Sequence, residues 1–139
     1  MRISLVHIGD VKSEWETAHR VRALEVDGRT PALADLAILK RKHRNDYDRL
    51  IEIVRAVAGE RRIANENRVK RGRVCREIYE MRGGQARLLF FYAPVHDEVV
   101  VCTNVYWKAK PSEAEQNEAF ARAERLRQIY LASAGPRPA

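Results

Sequence analysis

Side chains two residues apart on a β-strand share a face, and the stretch Tyr79-Glu80-Met81-Arg82 therefore groups Glu80 with Arg82. Gly83-Gly84 follows, a hairpin turn signal. If the chain reverses there, Arg87 returns across from Arg82 on the same face, and the two guanidinium groups make a cationic pair where a phosphate could sit. Such a pair would stabilise negative charge building on phosphorus, about 3–4 kcal/mol for one contact of this kind. Glu80 could act as a base in that chemistry. It could equally only neutralise Arg82 and Arg87 in a cross-strand ion pair, which would contribute little. Tyr106, near the end of a later strand, could stack on a nucleobase or assist proton transfer.

The charge around this group is concentrated. The chain has 139 residues and a formal net charge of +7. Nine basic side chains and three acidic ones fall in residues 61–87, so that stretch carries six of the seven charges. Lys70, Arg71, Arg73 and Arg76 lie in it as candidate RNA contacts, and twenty of the 26 basic residues are arginine, suited to bidentate phosphate contact and base stacking. A solvated basic face would produce the same composition.

Other chemistries find little support. Cys75 and Cys102 have no metal-like spacing, which argues against a disulfide framework and for a reducing compartment. No phosphate-cradling Gly-rich loop, metal-ligand cluster or nucleophile elbow is present, so neither metal nor cofactor is expected. His96 falls in a turn and reads as solvated, although a catalytic role is open to it; His7, His19 and His43 have no evident partners. Trp15 and Trp107 read as packing residues, with Trp107 at a strand end also able to stack RNA. The cluster Lys40-Arg41-Lys42-His43-Arg44 reads as a solvated helix end that could also touch ribosomal RNA. No apolar run approaches a membrane span, and the N-terminus lacks a signal-peptide core, so a soluble cytoplasmic protein with no membrane partner is expected.

The elements that must position these residues can be read in order. Residues 1–18 read as an N-terminal extension with a short apolar run over 3–8, and residues 19–26 as a first strand ending at Asp27-Gly28. Thr30 as N-cap and Pro31 open a helix. Asn45 or Asp46 looks like a fresh N-cap, and Tyr47, Leu50, Ile51, Val54 and Val57 form one apolar stripe that Gly59 stops. The two segments make a helical hairpin or a single bent helix. A basic linker leads to strands over 75–82, 87–92 and 98–107. Ser112 and Glu115 form a capping box for a last helix whose buried stripe is Ala119, Ala123, Leu126 and Tyr130. Residues 132–139 read as a frayed tail. The result is an α+β domain: an antiparallel sheet with an N-terminal helical hairpin and a C-terminal helix packed on one face.

Tyr79-Glu80-Met81-Arg82, a short turn and Ala86-Arg87-Leu88-Leu89-Phe90-Phe91-Tyr92 resemble the core of phage Gp49-like and HigB toxins of the RelE/ParE superfamily. The following strand, Lys108 and Lys110-Pro111 before the last helix, and the upstream Val26-Asp27-Gly28-Arg29-Thr30-Pro31 extend the resemblance over residues 19–131. It implies a RelE-like fold and a cytoplasmic, metal-independent endoribonuclease that cuts messenger RNA on the ribosome. It also implies a cognate helix-turn-helix antitoxin of the HigA type as partner. Arg82 and Arg87 match the family's two arginines flanking the hairpin, and Lys108 and Lys110 its basic residues between last strand and last helix. The same fold includes ParE-like toxins without nuclease activity that bind and poison DNA gyrase, an alternative the sequence leaves open.

Overall fold

Leu88, Leu89, Phe90 and Phe91 are all buried, so the strand that carries them is apolar on both sides and must be covered on both. The computed structural model describes residues 1–63, 65, 67–96, 98–108 and 113–133. Its elements are β1 (Ile3–His7), a 3-10 turn (Ser13–Trp15), β2 (Arg20–Val26), α1 (Pro31–Lys42), α2 (Arg44–Gly59), β3 (Val69–Arg71), β4 (Tyr79–Gly83), β5 (Ala86–Tyr92), β6 (Val99–Trp107) and α3 (Glu113–Ala132). The strands form one sheet in the order β1-β2-β6-β5-β4-β3. The α+β class is as expected, with two corrections. The sheet is mixed, because β2 runs parallel to its neighbour β6 while every other pair is antiparallel. The helices also lie on both faces, not one.

Alternation along the strands makes the two layers. Val21, Ala23, Met81, Leu88, Phe90, Val100 and Cys102 pack against α1 and α2, whose Leu36, Leu39, Tyr47, Leu50, Val54 and Val57 are buried. Leu24, Ile78, Leu89, Phe91, Val99 and Val101 face the other way, toward Ala119, Ala123 and Tyr130 of α3. Two of the three buried α3 side chains are alanines, which lets the helix axis come close to the sheet.

The N-terminal segment contributes to the packing. β1 is an edge strand, and Leu5, Ile8 and Val11 are buried. Asp27 and Gly28 both take positive φ, at 50° and 80°, to turn the chain after β2. α1 and α2 are separated by one residue, His43, whose φ of −138° breaks the helical path. Of the two expected caps, one holds in position and one is corrected. Thr30 takes the N-cap position before Pro31 as expected, but its hydroxyl donates to Glu25 Oε2 at 3.0 Å and accepts no N–H from the first turn of the helix. The N-cap of α2 is His43, not Asn45 or Asp46, because helical geometry begins at Arg44. The linker contains the unexpected strand β3, and β4 starts at Tyr79, so residues 75–78 are loop. Ser112 and residues 134–139 of the expected tail lie outside the described residues.

Burial raises the phenol pKa of Tyr47, Tyr92, Tyr106 and Tyr130 above the ordinary value, with Asp10 adding to the effect at Tyr47 and Glu80 at Tyr106. The unfolded chain would ionise these phenols near pH 10 while the folded chain keeps their protons. Their contribution to stability is therefore complete below about pH 10 and lost above it. In an alkaline titration, phenolate absorbance from these four should rise together with loss of circular dichroism. Four phenols ionising near pH 10 in a chain that stays folded would contradict the burial.

Candidate functional site

On the α3 side of the sheet, beyond the last apolar layer, the strands carry polar side chains. β4 contributes Glu80 and Arg82, and directly across lie Leu89 and Arg87 of β5. The expected reversal at Gly83-Gly84 is present, with Gly84 at φ +57°, so Arg82 and Arg87 are cross-strand neighbours on one face. Lys70 of β3 pairs with Glu80 in register from the other side.

Tyr106 reaches this group because of an irregularity in β6. Phe90 pairs with Cys102, but Leu89 pairs with Asn104, so Thr103 is an extra residue in the ladder. Each side chain beyond it changes face relative to an unbroken register. That shift sets Tyr106 opposite Arg87, with its hydroxyl donating to Glu80 Oε2 at 2.9 Å.

Glu80 is the centre of the cluster. Its side chain is 6% exposed; Arg82 Nε donates to Oε1 at 2.8 Å, and Arg87 Nε lies 4.0 Å from the same oxygen. The ion pair that the sequence offered as the alternative role for Glu80 thus forms, although its principal contact runs along β4 and not across the hairpin. Arg87 lies deeper than Arg82, its side chain 11% exposed against 21%. Its Nη1 donates to the carbonyls of Gly84 and Ala86. Burial pulls its guanidinium below the usual value, with the Glu80 carboxylate opposing that shift.

An open cleft of about 620 Å³ lies over the cluster. Its floor is Glu80, Arg82 and Tyr106; one wall is Lys70 to Cys75; the other is Glu113, Gln116, Asn117 and Phe120 at the start of α3, with Lys108 at the end of β6. Five cationic and two acidic side chains line it, so it has a positive excess. The sequence candidates Arg82, Lys108, Lys70, Arg71, Arg73 and Tyr106 are thereby brought together. Arg71 also lies over the Tyr79 ring, 5.6 Å from its centroid, and its Nε donates to the Arg76 carbonyl. Arg87 supports the floor from below. The exposed Arg76 side chain is not among the groups lining the cleft, and Lys110 lies outside the described residues.

Glu80 and Tyr106 were only two of several possible proton-transfer groups in the sequence; the hydrogen bond between them singles them out. Gly72 was missed. A Cβ there would stand 2.5 Å from the Cys75 carbonyl oxygen and 2.9 Å from that of Ile78, so glycine is what lets the cleft wall fold tightly. Among the described residues, no group of three or more His, Cys, Asp or Glu side chains is placed to hold a metal ion, and no helix is long and apolar enough to cross a membrane. No protein-family model matches the chain, and no curated protein matches it.

Proposed function

We propose that this chain is a metal-independent endoribonuclease, the toxin of a toxin–antitoxin pair of the RelE/ParE superfamily, Gp49-like or HigB type. Its substrate would be messenger RNA on the ribosome, and a helix-turn-helix antitoxin would restrain it. The observation that carries the reading is the carboxylate of Glu80, bonded at once to a guanidinium and a phenol on the floor of a cationic cleft. After residue 19 the order is strand, two helices, four strands and helix; apart from the added β3 it follows the order that the family resemblance implies.

The residues suit attack by a ribose 2′-hydroxyl on its own 3′-phosphate. Glu80 accepts the 2′-hydroxyl proton as the new oxygen–phosphorus bond forms. Arg82, with Lys70 and Lys108, balances the charge on the crowded phosphorane. As the bond from phosphorus to the 5′-oxygen breaks, Tyr106 gives that oxygen its proton and recovers one from Glu80 along their hydrogen bond. The products are a 2′,3′-cyclic phosphate and a 5′-hydroxyl. Burial and Glu80 hold the Tyr106 phenol protonated at neutral pH, as a proton donor must be.

Induced expression followed by 5′-end mapping of transcripts tests this. Cuts within translated codons, bearing 5′-hydroxyl ends, are expected. Intact transcripts would reject it, and if accompanied by gyrase-linked DNA breaks would put a ParE-like gyrase poison in its place.

A further inference from the structure

Trp107 follows Tyr106 in β6 and points to the opposite face of the sheet. A tryptophan that only filled space in the core would be buried; this one is 39% exposed. It is nevertheless fixed. The His43 ring stacks on one side of it, with centroids 3.9 Å apart and planes within 8°. Its Nε1 donates to Asp46 Oδ2 at 2.7 Å. The next residue is tied as well, Lys108 N donating to the Gln85 carbonyl at 2.7 Å. The indole is therefore held in one plane before anything binds.

Beside it runs a groove of about 180 Å³ floored by Ile38, Leu39 and Val105, with Lys42 at its rim. That volume is below the roughly 300–1,000 Å³ of whole small-molecule sites, which suits a single planar ring from a larger ligand. Tyr106 lines both this groove and the cationic cleft. Tyr106 thus stands between the two, and Trp107 follows it at the end of β6. Of the basic run Lys40, Arg41 and Lys42 that ends α1, Lys42 lines the groove, while Lys40 is paired with Asp10 at 2.9 Å. The two carboxylates there are already engaged: Asp46 by the indole, and Asp35 by the Val105 amide at 2.9 Å and Arg122 at 3.9 Å.

We propose that Trp107, backed by His43, is a stacking platform for one nucleobase of the single-stranded RNA held in the cleft, with Lys42 contacting the adjoining phosphate. The inference rests on the reading of the cleft as an RNA site. A pre-oriented aromatic face beside cations is the arrangement by which single strands are held without base-pair readout. Such a platform adds affinity for any base and fixes how the strand enters the catalytic floor. An apolar side chain of a protein partner would fit the groove, but would leave the cationic rim and the shared Tyr106 wall without a role.

The chain has two tryptophans, so a Trp15→Phe protein reports Trp107 alone. Titrating it with a short single-stranded RNA should quench its fluorescence, while a base-free polyphosphate of equal charge should not. Trp107→Ala should weaken RNA binding, measured by anisotropy, between about five-fold and about 150-fold. Trp107→Phe should recover much of the loss, and both variants should keep the parent circular dichroism. RNA that binds in a manner dependent on Lys70 and Arg82 yet neither quenches Trp107 nor responds to its loss would overturn the platform and leave the cleft reading standing. Failure of RNA to bind at all would overturn both. Quenching by an apolar peptide but not by RNA would assign the groove to a protein partner and reject the proposal.

Discussion

Replacing Arg82 with alanine is expected to slow the proposed RNA cleavage by about 10²–10³-fold, the usual cost of removing one preorganised charge-stabilising donor from a transition state. Arg82 is the more exposed of the two hairpin arginines, and it lines the cleft that Arg87 only underlies. Its loss also releases Glu80 Oε1, so the carboxylate must rely on Tyr106 and the more distant Arg87. Some destabilisation will follow. A comparison of kcat at temperatures well below each protein's melting point separates that from the chemical effect. Arg82→Lys keeps the charge but not the planar fork, and is expected to recover only part of the rate. An Arg82→Ala protein that cut transcripts at the parent rate would remove the phosphate-binding role. Arg87→Ala should read differently: its guanidinium holds the hairpin turn through Gly84 and Ala86, so lowered stability should accompany any loss of activity.

The second large effect is structural. A Cβ on Gly83 would stand 2.3 Å from both Cα and N of Leu50 and 2.8 Å from the Arg49 carbonyl carbon. The obstacle is the backbone of α2, which cannot swing aside as a side-chain tip would. Overpacking of this kind costs about 1–3 kcal/mol, occasionally more, and Gly83→Ala should reach the upper end. A marked fall in the urea midpoint is the expected result, with Gln85→Ala on the exposed turn as a neutral control. Activity should fall in parallel, because the same strand carries Glu80 and Arg82. A Gly83→Ala protein with the parent midpoint would mean that α2 does not press on β4 as described.

Gly83 also illustrates what can be read from a sequence. Gly83-Gly84 is legible as a turn, and with two-residue alternation it places Arg82 and Arg87 on one face. That the first glycine is also needed for a close approach of α2 is tertiary information, absent from any local pattern. The position of Tyr106 is similar: its face depends on one extra residue at Thr103, and a bulge has no reliable composition signal. The two-sided cover of the sheet was within reach. The apolar runs at 88–91 and 99–102 do not alternate, and a strand without a polar face has nowhere to meet water. β3 was hidden for the opposite reason, because Val69-Lys70-Arg71 is mostly charged, as suits the exposed edge of a sheet. The parallel contact of β2 with β6 joins residues nearly eighty positions apart in the sequence, a partnership that neither segment announces.

That contact has a consequence for how the molecule comes into being. β3 to β6 form a meander of neighbours that can assemble from local hairpins, whereas β1 and β2 can only dock once β6 has been made. A nascent chain must therefore hold its first pair of strands without their lateral partner until β6 has emerged. Long-range closures of this sort slow folding and leave apolar surface open to aggregation or to capture by chaperones in the interval. The wall of the cleft formed by α3 arrives later still, so no polypeptide interrupted before its final helix would possess the complete basin.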